Sequence, residues 1–243
     1  MAHLELGKKH LSIVDSLTIV NAPHSKGLEA IRKIGPTFFF TFEQDISATT
    51  TAFVTKGRLE NDKTIRISKT HQIEGLPTNK GLEGLSLSAD RQTLWVAHET
   101  MARPKLGMDS IKILRFDTNL ALLQEENWYD LEPKSFFQGN EEAYDDYGVT
   151  ELFMAGDSCY VLERGWGKNK GTASLYISLF KVSTHTWKKS APLYRFVSSR
   201  AYVECLDNFE GLCYVPSLKK LLFISDDNRR PGRQRTIARL LEP

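Results

Sequence analysis

Carboxylates recur at matching places in four stretches of the chain, and they are the side chains best suited to do chemistry. Early in each stretch stands a glutamate; the four are Glu29, Glu83, Glu151 and Glu210. Near the end of each stretch stands a second acidic residue; these are Glu43, Glu99, Glu163 and Asp226. Like charges held together raise one another's pKa and need a neutralising partner. The pattern therefore predicts either a hard cation such as Ca²⁺, which takes roughly six to eight oxygen ligands, or internal basic side chains.

Two other side chains stand beside these carboxylates. Arg164 directly follows Glu163 and is the internal cation that the sequence offers. His98 precedes Glu99, and an imidazole that titrates near neutral pH is suited to acid or base catalysis. The alternative is structural, because carboxylates at repeated positions also accept backbone N–H bonds or cap turns. A site role and a structural role are both open for each of these residues.

The stretch from Gly81 to Glu99, GLEGLSLSADRQTLWVAHE, shows which element would position them. Leu85 and Leu87 alternate on the same face as Glu83, a polar turn follows at 89–92, and a second apolar run covers 94–97. Alternation, a polar turn and a second apolar run are the pattern of a β-hairpin. The early and late carboxylates would then lie near the open end of one hairpin.

This hairpin pattern occurs four times, with starts at residues 27, 81, 148 and 208. The starts are 54, 67 and 60 residues apart (81−27, 148−81, 208−148), which suits a large propeller blade. Further strand-like runs follow each hairpin and complete four-stranded blades. The sequence thus predicts an all-β fold, a single β-propeller domain over residues 1–243 with four detectable blades. Since the first strand of each blade lines the central channel, the early glutamates should converge there.

The fourth repeat is one strand short. After its hairpin it has only the run RTIARLL at 235–241, whereas the segment from His10 to Val20 alternates like a strand without a hairpin of its own. We expect that segment to complete the fourth blade and close the ring, with an incomplete ring as the alternative. The polar segment 56–62 and the glycine- and lysine-rich segment 165–171 are expected to be loops, and the second lacks the GxxxxGK[ST] phosphate-binding pattern.

Composition excludes several classes of function. The 32 basic and 30 acidic side chains leave a net charge of +2, so no overall charge drives binding to nucleic acid or an anionic membrane. No apolar run is long enough for a membrane span, and MAHLELGKKH is not a signal peptide. Cys159 and Cys213 lie in strand-like apolar runs and are expected to be buried, unreactive thiols. The serine-nucleophile pattern GxSxG and the zinc pattern HExxH are both absent from the sequence.

The repeats resemble three successive blades of the phytase-like β-propeller family described as having esterase-like activity of phytase. The resemblance spans about residues 15–241. It is carried by Asn79 with Gly81 to Leu85, by Glu151-Leu152, by Glu163-Arg164-Gly165, by Asn208 to Leu212 and by Ser225 to Asn228. Family members usually open with a further GxSGL unit that has no counterpart before Gly27. This chain therefore resembles a member that lacks most of its first blade.

The resemblance implies metal-dependent hydrolysis of a phosphate or carboxylic ester, a small-molecule substrate, at the channel mouth, and an exported protein. We assign the expected Ca²⁺ to a set of five carboxylates: Glu83, Glu99, Glu151, Glu210 and Asp226. We assign catalysis to four side chains: Glu83, Glu163, Arg164 and His98. Two rivals are a calcium-dependent lactonase and a non-catalytic binding propeller. The sequence carries no signal for the substrate or for the oligomeric state.

Overall fold

The structure is a computed structural model that describes residues 2–6, 11–23, 27–46, 48–78, 80–99, 110–132, 146–169, 172–198, 208–226 and 237–242. Every regular element in these ranges is a β-strand. None of them contains a helix that is long and apolar enough to cross a membrane. The predicted all-β fold is confirmed, and small, mainly antiparallel sheets are arranged as a four-bladed β-propeller.

The chain opens with a two-stranded hairpin and then builds blade 1. The hairpin pairs β1 (Ala2–Leu6) with β2 (Leu11–Ser16). Blade 1 contains β3 (Thr18–Val20), β4 (Leu28–Ile34), β5 (Thr37–Ile46), β6 (Thr49–Asn61) and β7 (Thr64–Pro77). Its spatial order is β3-β7-β6-β5-β4, so β4 forms the inner edge and β3 the outer edge.

Blades 2 and 3 each have four strands in simple meander order. Blade 2 contains β8 (Leu82–Leu87), β9 (Thr93–His98), β10 (Ser110–Asp117) and β11 (Leu122–Asp130). Blade 3 contains β12 (Asp146–Ala155), β13 (Ser158–Asn169), β14 (Thr172–Ser183) and β15 (Tyr194–Ser198). Both match the strands expected from the sequence, with hairpins at the predicted places.

Blade 4 has three described strands, β16 (Asn208–Val215), β17 (Lys220–Asp226) and β18 (Ala238–Leu241). The expectation that the segment from His10 to Val20 completes this blade is wrong. The described part of that segment pairs elsewhere: β2 pairs with β1, and β3 runs parallel to β7 at the outer edge of blade 1. Thr18 also donates its N–H to the Lys63 carbonyl oxygen at 2.8 Å, so the segment extends the first blade.

Both segments expected to be loops are largely strand. Most of 56–62 belongs to β6, because the ladder with β7 continues to Asn61 and absorbs the extra residues in register shifts. Likewise β13 continues to Asn169 and pairs with β14 from Thr172 onward. A polar sequence on an exposed part of a long ladder looks like a loop, because nothing in it has to alternate with a core.

Alternating side chains pack each blade against the next. Phe39, Ala52 and Val54 of blade 1 meet Leu85 and Val96 of blade 2 in one buried cluster. Blades 2 and 3 share a second cluster, and Leu162 and Ile177 of blade 3 meet Phe209 and Phe223 of blade 4 in a third. The inner strands β4, β8, β12 and β16 therefore lie side by side in chain order.

The outward face of blade 1 is covered by the N-terminal segment. Phe38, Phe40 and Phe42 alternate with Phe39 along β5, so they lie on the opposite face of the sheet. Leu17 and Ile19 pack against this face. Between this covered blade and blade 4 lies a cavity, lined by β4 on one side and by β16 and β17 on the other.

Of the two cysteines expected to be buried, Cys159 is buried and Cys213 is exposed. Cys159 lies in the cluster between blades 2 and 3. Cys213 follows Leu212 on β16, so alternation turns it away from blade 3 and toward the cavity. The expectation for Cys213 is wrong because one face of β16 meets this cavity and not a neighbouring sheet.

Candidate active site at the channel mouth

A β-bulge near the start of each inner strand positions the early polar residue of each repeat. The register of the inner hairpin shifts between Leu28 and Ala30, Leu82 and Gly84, Val149 and Glu151, and Phe209 and Gly211. The residues skipped by these shifts are Glu29, Glu83, Thr150 and Glu210. A bulge re-aims one side chain without disturbing the rest of the ladder. The structural equivalent of the three glutamates in blade 3 is therefore Thr150, and the prediction that placed Glu151 among them is wrong.

The second strand of blade 3 is also shifted by one residue relative to the second strands of the other blades. Glu43 and Glu99 each donate a backbone N–H to the glycine that opens their repeat, Gly27 and Gly81, at 2.8 and 3.0 Å. Gly148, which opens the third repeat, is paired with Arg164, and Asn208 of the fourth repeat is paired with Asp226. The second set is therefore Glu43, Glu99, Arg164 and Asp226. Glu163 is one position early, and its side chain points to the other face of the strand.

The two sets lie at the same end of the inner hairpins, and their described side chains, Glu29, Glu43, Glu83, Glu99, Arg164 and Glu210, are called the mouth. Glu83 is its electrostatic centre. Burial raises its pKa well above the ordinary value of 4.5, and the charges of Glu29, Glu99 and Glu43 raise it further. The positive charge of Arg164 acts in the opposite direction. Several carboxylates that share one site hold a proton or attract a cation, because all of them cannot ionise without cost. The mouth is thus a place where a carboxyl group keeps its proton above its ordinary pKa.

Two basic side chains partly neutralise the mouth. Lys80 Nζ lies 3.1 Å from Glu99 Oε1, and Arg164 Nη2 lies 3.8 Å from the same oxygen. Arg164 also pairs with Glu210 through its Nη1 atom. Arg164 therefore links carboxylates of blades 2 and 4 from its place on blade 3. The internal cation expected beside Glu163 is present, and its partners are Glu99 and Glu210.

Glu43 adds a buried oxygen to the mouth. Within the described residues its Oε2 atom has no hydrogen bond of good geometry. Burial, followed by the charges of Asp45 and Glu99, raises the pKa of its carboxyl, and the Gly81 N–H and the charge of Lys80 act in the opposite direction. A Cβ atom at position 81 would overlap with this oxygen, so a larger residue there would displace the Glu43 carboxylate. A buried carboxylate oxygen without a hydrogen bond of good geometry is the kind of group that a hard cation satisfies.

Glu151 is turned into the interface between blades. Its Oε1 atom accepts the N–H groups of Leu85 at 3.1 Å and Leu152 at 2.9 Å, and its Oε2 atom lies 3.0 Å from Arg32 Nη2. The residue is 4% exposed. Glu151 thus ties blade 3 to blades 1 and 2, and the contacts of its two oxygens fit a structural role.

Glu163 is fully buried at a distance from this group, in a network between blades 2 and 3. It accepts hydrogen bonds from the hydroxyls of Tyr129 and Tyr147, from the Glu132 N–H at 3.1 Å and from Lys189 Nζ at 2.8 Å. The pKa values of both tyrosines are raised well above their ordinary value, first by burial and then by the charge of Glu163. The structure does not bring Glu163 together with Glu83.

His98 also faces the interior. It is 2% exposed, and its Nδ1 atom has no partner among the described residues. Burial, followed by the charge of Lys112, lowers its pKa to about 4. His98 is therefore uncharged at neutral pH. It pairs with Leu82 across the hairpin, at the register position that Glu163 occupies in blade 3.

The lowered pKa of His98 predicts a stability change at acidic pH. Folding keeps the imidazole neutral, so its contribution to stability is complete above the unfolded pKa of about 6.5 and declines as the pH falls toward about 4. Replacing His98 by leucine should remove this decline, about 2 kcal/mol between pH 7 and pH 4.5 relative to the wild type. Urea melts of both proteins at the two pH values measure it. Equal losses in the two proteins would show that His98 is not held neutral.

The structure regroups the five carboxylates assigned to a metal. Glu83 and Glu99 lie together with Glu29 and Glu43, whereas Glu151 and Glu210 are engaged with arginines. The backbone of Asp226 ends β17 opposite Asn208, and its side chain lies outside what the structure describes. Among the described residues, no three His, Cys, Asp or Glu side chains are placed as ligands of a single metal ion. Glu29 was recognised among the early glutamates but left out of the metal set; counting two residues from each repeat start would have kept Glu29 and excluded Glu151.

Fold and mouth together define the class of protein: a four-bladed propeller with an acidic site built on bulged inner strands. The chain belongs to the phytase-like family, described as having esterase-like activity of phytase, and the match covers residues 7–229. No curated protein matches the chain.

Two solved structures are similar in part. A hypothetical protein from Leishmania major aligns over 94% of both chains with 8% identity and a TM-score of 0.41. A puromycin-hydrolysing peptidase from Mycobacterium tuberculosis aligns over 82% of this chain and 34% of that one, with 14% identity and a TM-score of 0.26. Both scores are too low to establish a shared fold. The propeller assignment rests on the strands described above.

Proposed function

We propose that the protein hydrolyses a phosphate or carboxylic ester of a small molecule at the acidic channel mouth. The observation that carries the proposal is the grouping of Glu83 with Glu29, Glu43 and Glu99 beside Lys80 and Arg164, in which the pKa of Glu83 is raised. General acid and base catalysis uses such a pair of carboxyl groups. One keeps its proton above its ordinary pKa, and the other is a carboxylate paired with basic side chains. Membership of the phytase-like family supports the same class of reaction.

The chain's own residues account for the proton transfers. Glu83 in its protonated form donates to the leaving oxygen of the ester. Glu99, held as a carboxylate by Lys80 and Arg164, accepts a proton from the attacking water. The hydroxide oxygen bonds to the carbonyl carbon or phosphorus, the ester bond to the leaving oxygen breaks, and an acid and an alcohol form. Transfer of the proton from Glu99 back to Glu83 restores the site.

Arg164 is suited to the charge that develops during the reaction. Its guanidinium joins Glu99 and Glu210 at the mouth, and it acts on the charge of Glu83. An arginine placed beside the reacting group stabilises negative charge on the carbonyl or phosphoryl oxygen. Arg164 can take this role because blade 3 is shifted by one residue, which places Arg164 at the position that Glu43 and Glu99 occupy in blades 1 and 2.

A hard cation such as Ca²⁺ fits the donor set of the mouth. Glu29, Glu43, Glu83 and Glu99 offer only carboxylate oxygens, and Oε2 of Glu43 is buried without a hydrogen bond of good geometry among the described residues. When bound, the cation would polarise the ester and offset the repulsion between these carboxylates. Bound there, it would also lower the raised pKa of Glu83 toward the working pH, where the carboxyl group can both give up and regain a proton.

The test uses calcium binding and two chromogenic esters. Calcium should raise the melting temperature of the wild type, and the protein should cleave p-nitrophenyl acetate or p-nitrophenyl phosphate. Substituting Glu83→Gln together with Glu210→Gln should remove both effects while the circular dichroism spectrum stays that of the wild type. The proposal is refuted if calcium does not change the melting temperature and the protein cleaves neither ester. Unfolding of the double variant would assign these glutamates a structural role.

A further inference from the structure

The seam between blades 1 and 4 contains a cavity of about 550 Å³ that is open to solvent. The inner strand β4 lines one side, and β16 and β17 line the other. Its apolar wall is made by five residues: Ala30, Ile31, Leu212, Leu222 and Ile224. Cavities of this size with mainly apolar walls and a few polar groups are typical of sites for small molecules.

The cavity adjoins the channel mouth. Glu29 and Glu210, the bulge residues of blades 1 and 4, lie on its wall. Glu29 is also the carboxylate with the strongest effect on the pKa of Glu83. A molecule held in the cavity would therefore have one end next to the proposed acid.

The charges of the described wall disfavour an anionic group. The wall contains the carboxylates Glu29, Glu151 and Glu210 and one guanidinium, that of Arg32. Both terminal nitrogens of Arg32 already have acceptors: Nη2 lies 3.0 Å from Glu151 and 3.1 Å from the Leu152 carbonyl oxygen, and Nη1 donates to the Ile31 carbonyl oxygen at 2.6 Å. A phosphate needs charge-assisted donors, preferably from arginine. An uncharged apolar group requires none.

We propose that this seam cavity binds the apolar acyl chain of a carboxylic ester whose ester group lies at the acidic mouth. The proposal rests on the hydrolytic function above and selects among its substrates. The acyl chain buries apolar surface against Ile31, Leu222 and Ile224, and water then cleaves the ester to a fatty acid and an alcohol. The three carboxylates of the wall disfavour esters with several phosphate groups.

The first measurement is kcat/KM for p-nitrophenyl esters from acetate to octanoate. It should rise by about fourfold per methylene group until the cavity is full, because each added group leaves water. p-Nitrophenyl phosphate and myo-inositol hexakisphosphate should be poorer substrates than the octanoate ester. A flat dependence on chain length, or a preference for either phosphate ester, overturns the proposal.

A cavity-filling variant gives a matched comparison. Cys213 lies exposed on the cavity wall, so Cys213→Trp should lower kcat/KM for the octanoate ester by about tenfold and leave the acetate ester within about twofold. Leu218→Trp, in the exposed turn between β16 and β17, adds the same ring outside the cavity and should change neither. Equal effects of Cys213→Trp on both esters contradict the assignment.

Binding can be measured without catalysis and without that variant. The sequence has a third cysteine, Cys205, which is replaced by serine so that it does not react. In this variant Cys213 should react with N-ethylmaleimide, and Cys159, which is fully buried, should not. The uncharged p-nitrophenyl octyl ether should protect Cys213. Protection without ester hydrolysis supports the cavity and refutes the hydrolytic function, whereas hydrolysis without protection refutes the cavity and leaves the function standing.

Discussion

Replacing Glu83 by glutamine should lower the rate of ester hydrolysis by at least about 100-fold, the usual cost of losing a general acid. The amide keeps the size and shape of the side chain but has no acidic proton to give. If the mouth works as proposed, the loss should appear in kcat as well as in kcat/KM. Steady-state kinetics with the ester that the wild type cleaves best measure both.

The same variant should be at least as stable as the wild type above about pH 4.5. The folded chain raises the pKa of Glu83, so ionising it costs stability as the pH rises above the ordinary value of 4.5. Glutamine removes that cost, and the two proteins should differ least in acid. Glu74→Gln, on the exposed outer strand β7, is the matched control and should alter neither rate nor stability. An active Glu83→Gln protein would contradict the assigned role.

Replacing Glu163 by alanine should lower the free energy of unfolding by about 3–5 kcal/mol, because it strands Lys189 and two tyrosine hydroxyls in the interior. For a chain of this length, the melting temperature should fall by about 10 °C. Urea unfolding followed by tryptophan fluorescence measures the loss.

A second variant separates the lost charge from the lost packing. Glu163→Gln combined with Lys189→Met removes both charges and keeps most of the volume, so it should recover much of the stability lost in Glu163→Ala. If the alanine variant loses less than about 1 kcal/mol, the buried network is not a major support of the interface between blades 2 and 3.

The sequence was sufficient for the four hairpins that begin the blades. Hairpins with alternating apolar residues repeat four times, and the strands of blades 2 and 3 lie where that pattern predicts them. Glu83 was singled out because it lies early in the clearest repeat. These features depend on local alternation, which a single sequence displays directly.

The phase of blade 3 was harder to predict. Glu151 and Glu163 each lie one residue from the true equivalent position, and in a strand one residue exchanges the two faces. Glu151 therefore pairs with Arg32, and Glu163 pairs with Lys189. Arg164 lies at the mouth in place of Glu163. Apolar neighbours on both faces of a buried strand hide this shift, because alternation no longer marks which face is inside.

The alternation of residues also could not predict which blade the N-terminal segment joins. A strand of alternating residues such as Thr18–Val20 suits the outer edge of blade 1 as well as that of blade 4. The choice is made by contacts distant in sequence, in which Leu17 and Ile19 cover the phenylalanine face of blade 1. Local propensity carries no information about which edge is filled.

The most direct test of the acidic mouth is a titration of Glu83 by NMR of carbon-13-labelled glutamate carboxyl groups, with its signal identified by its absence from the Glu83→Gln spectrum. The pKa of Glu83 should lie above the ordinary 4.5 without calcium and should fall when calcium is added. A Glu83 carboxyl that titrates at its ordinary value and does not respond to calcium would contradict the account.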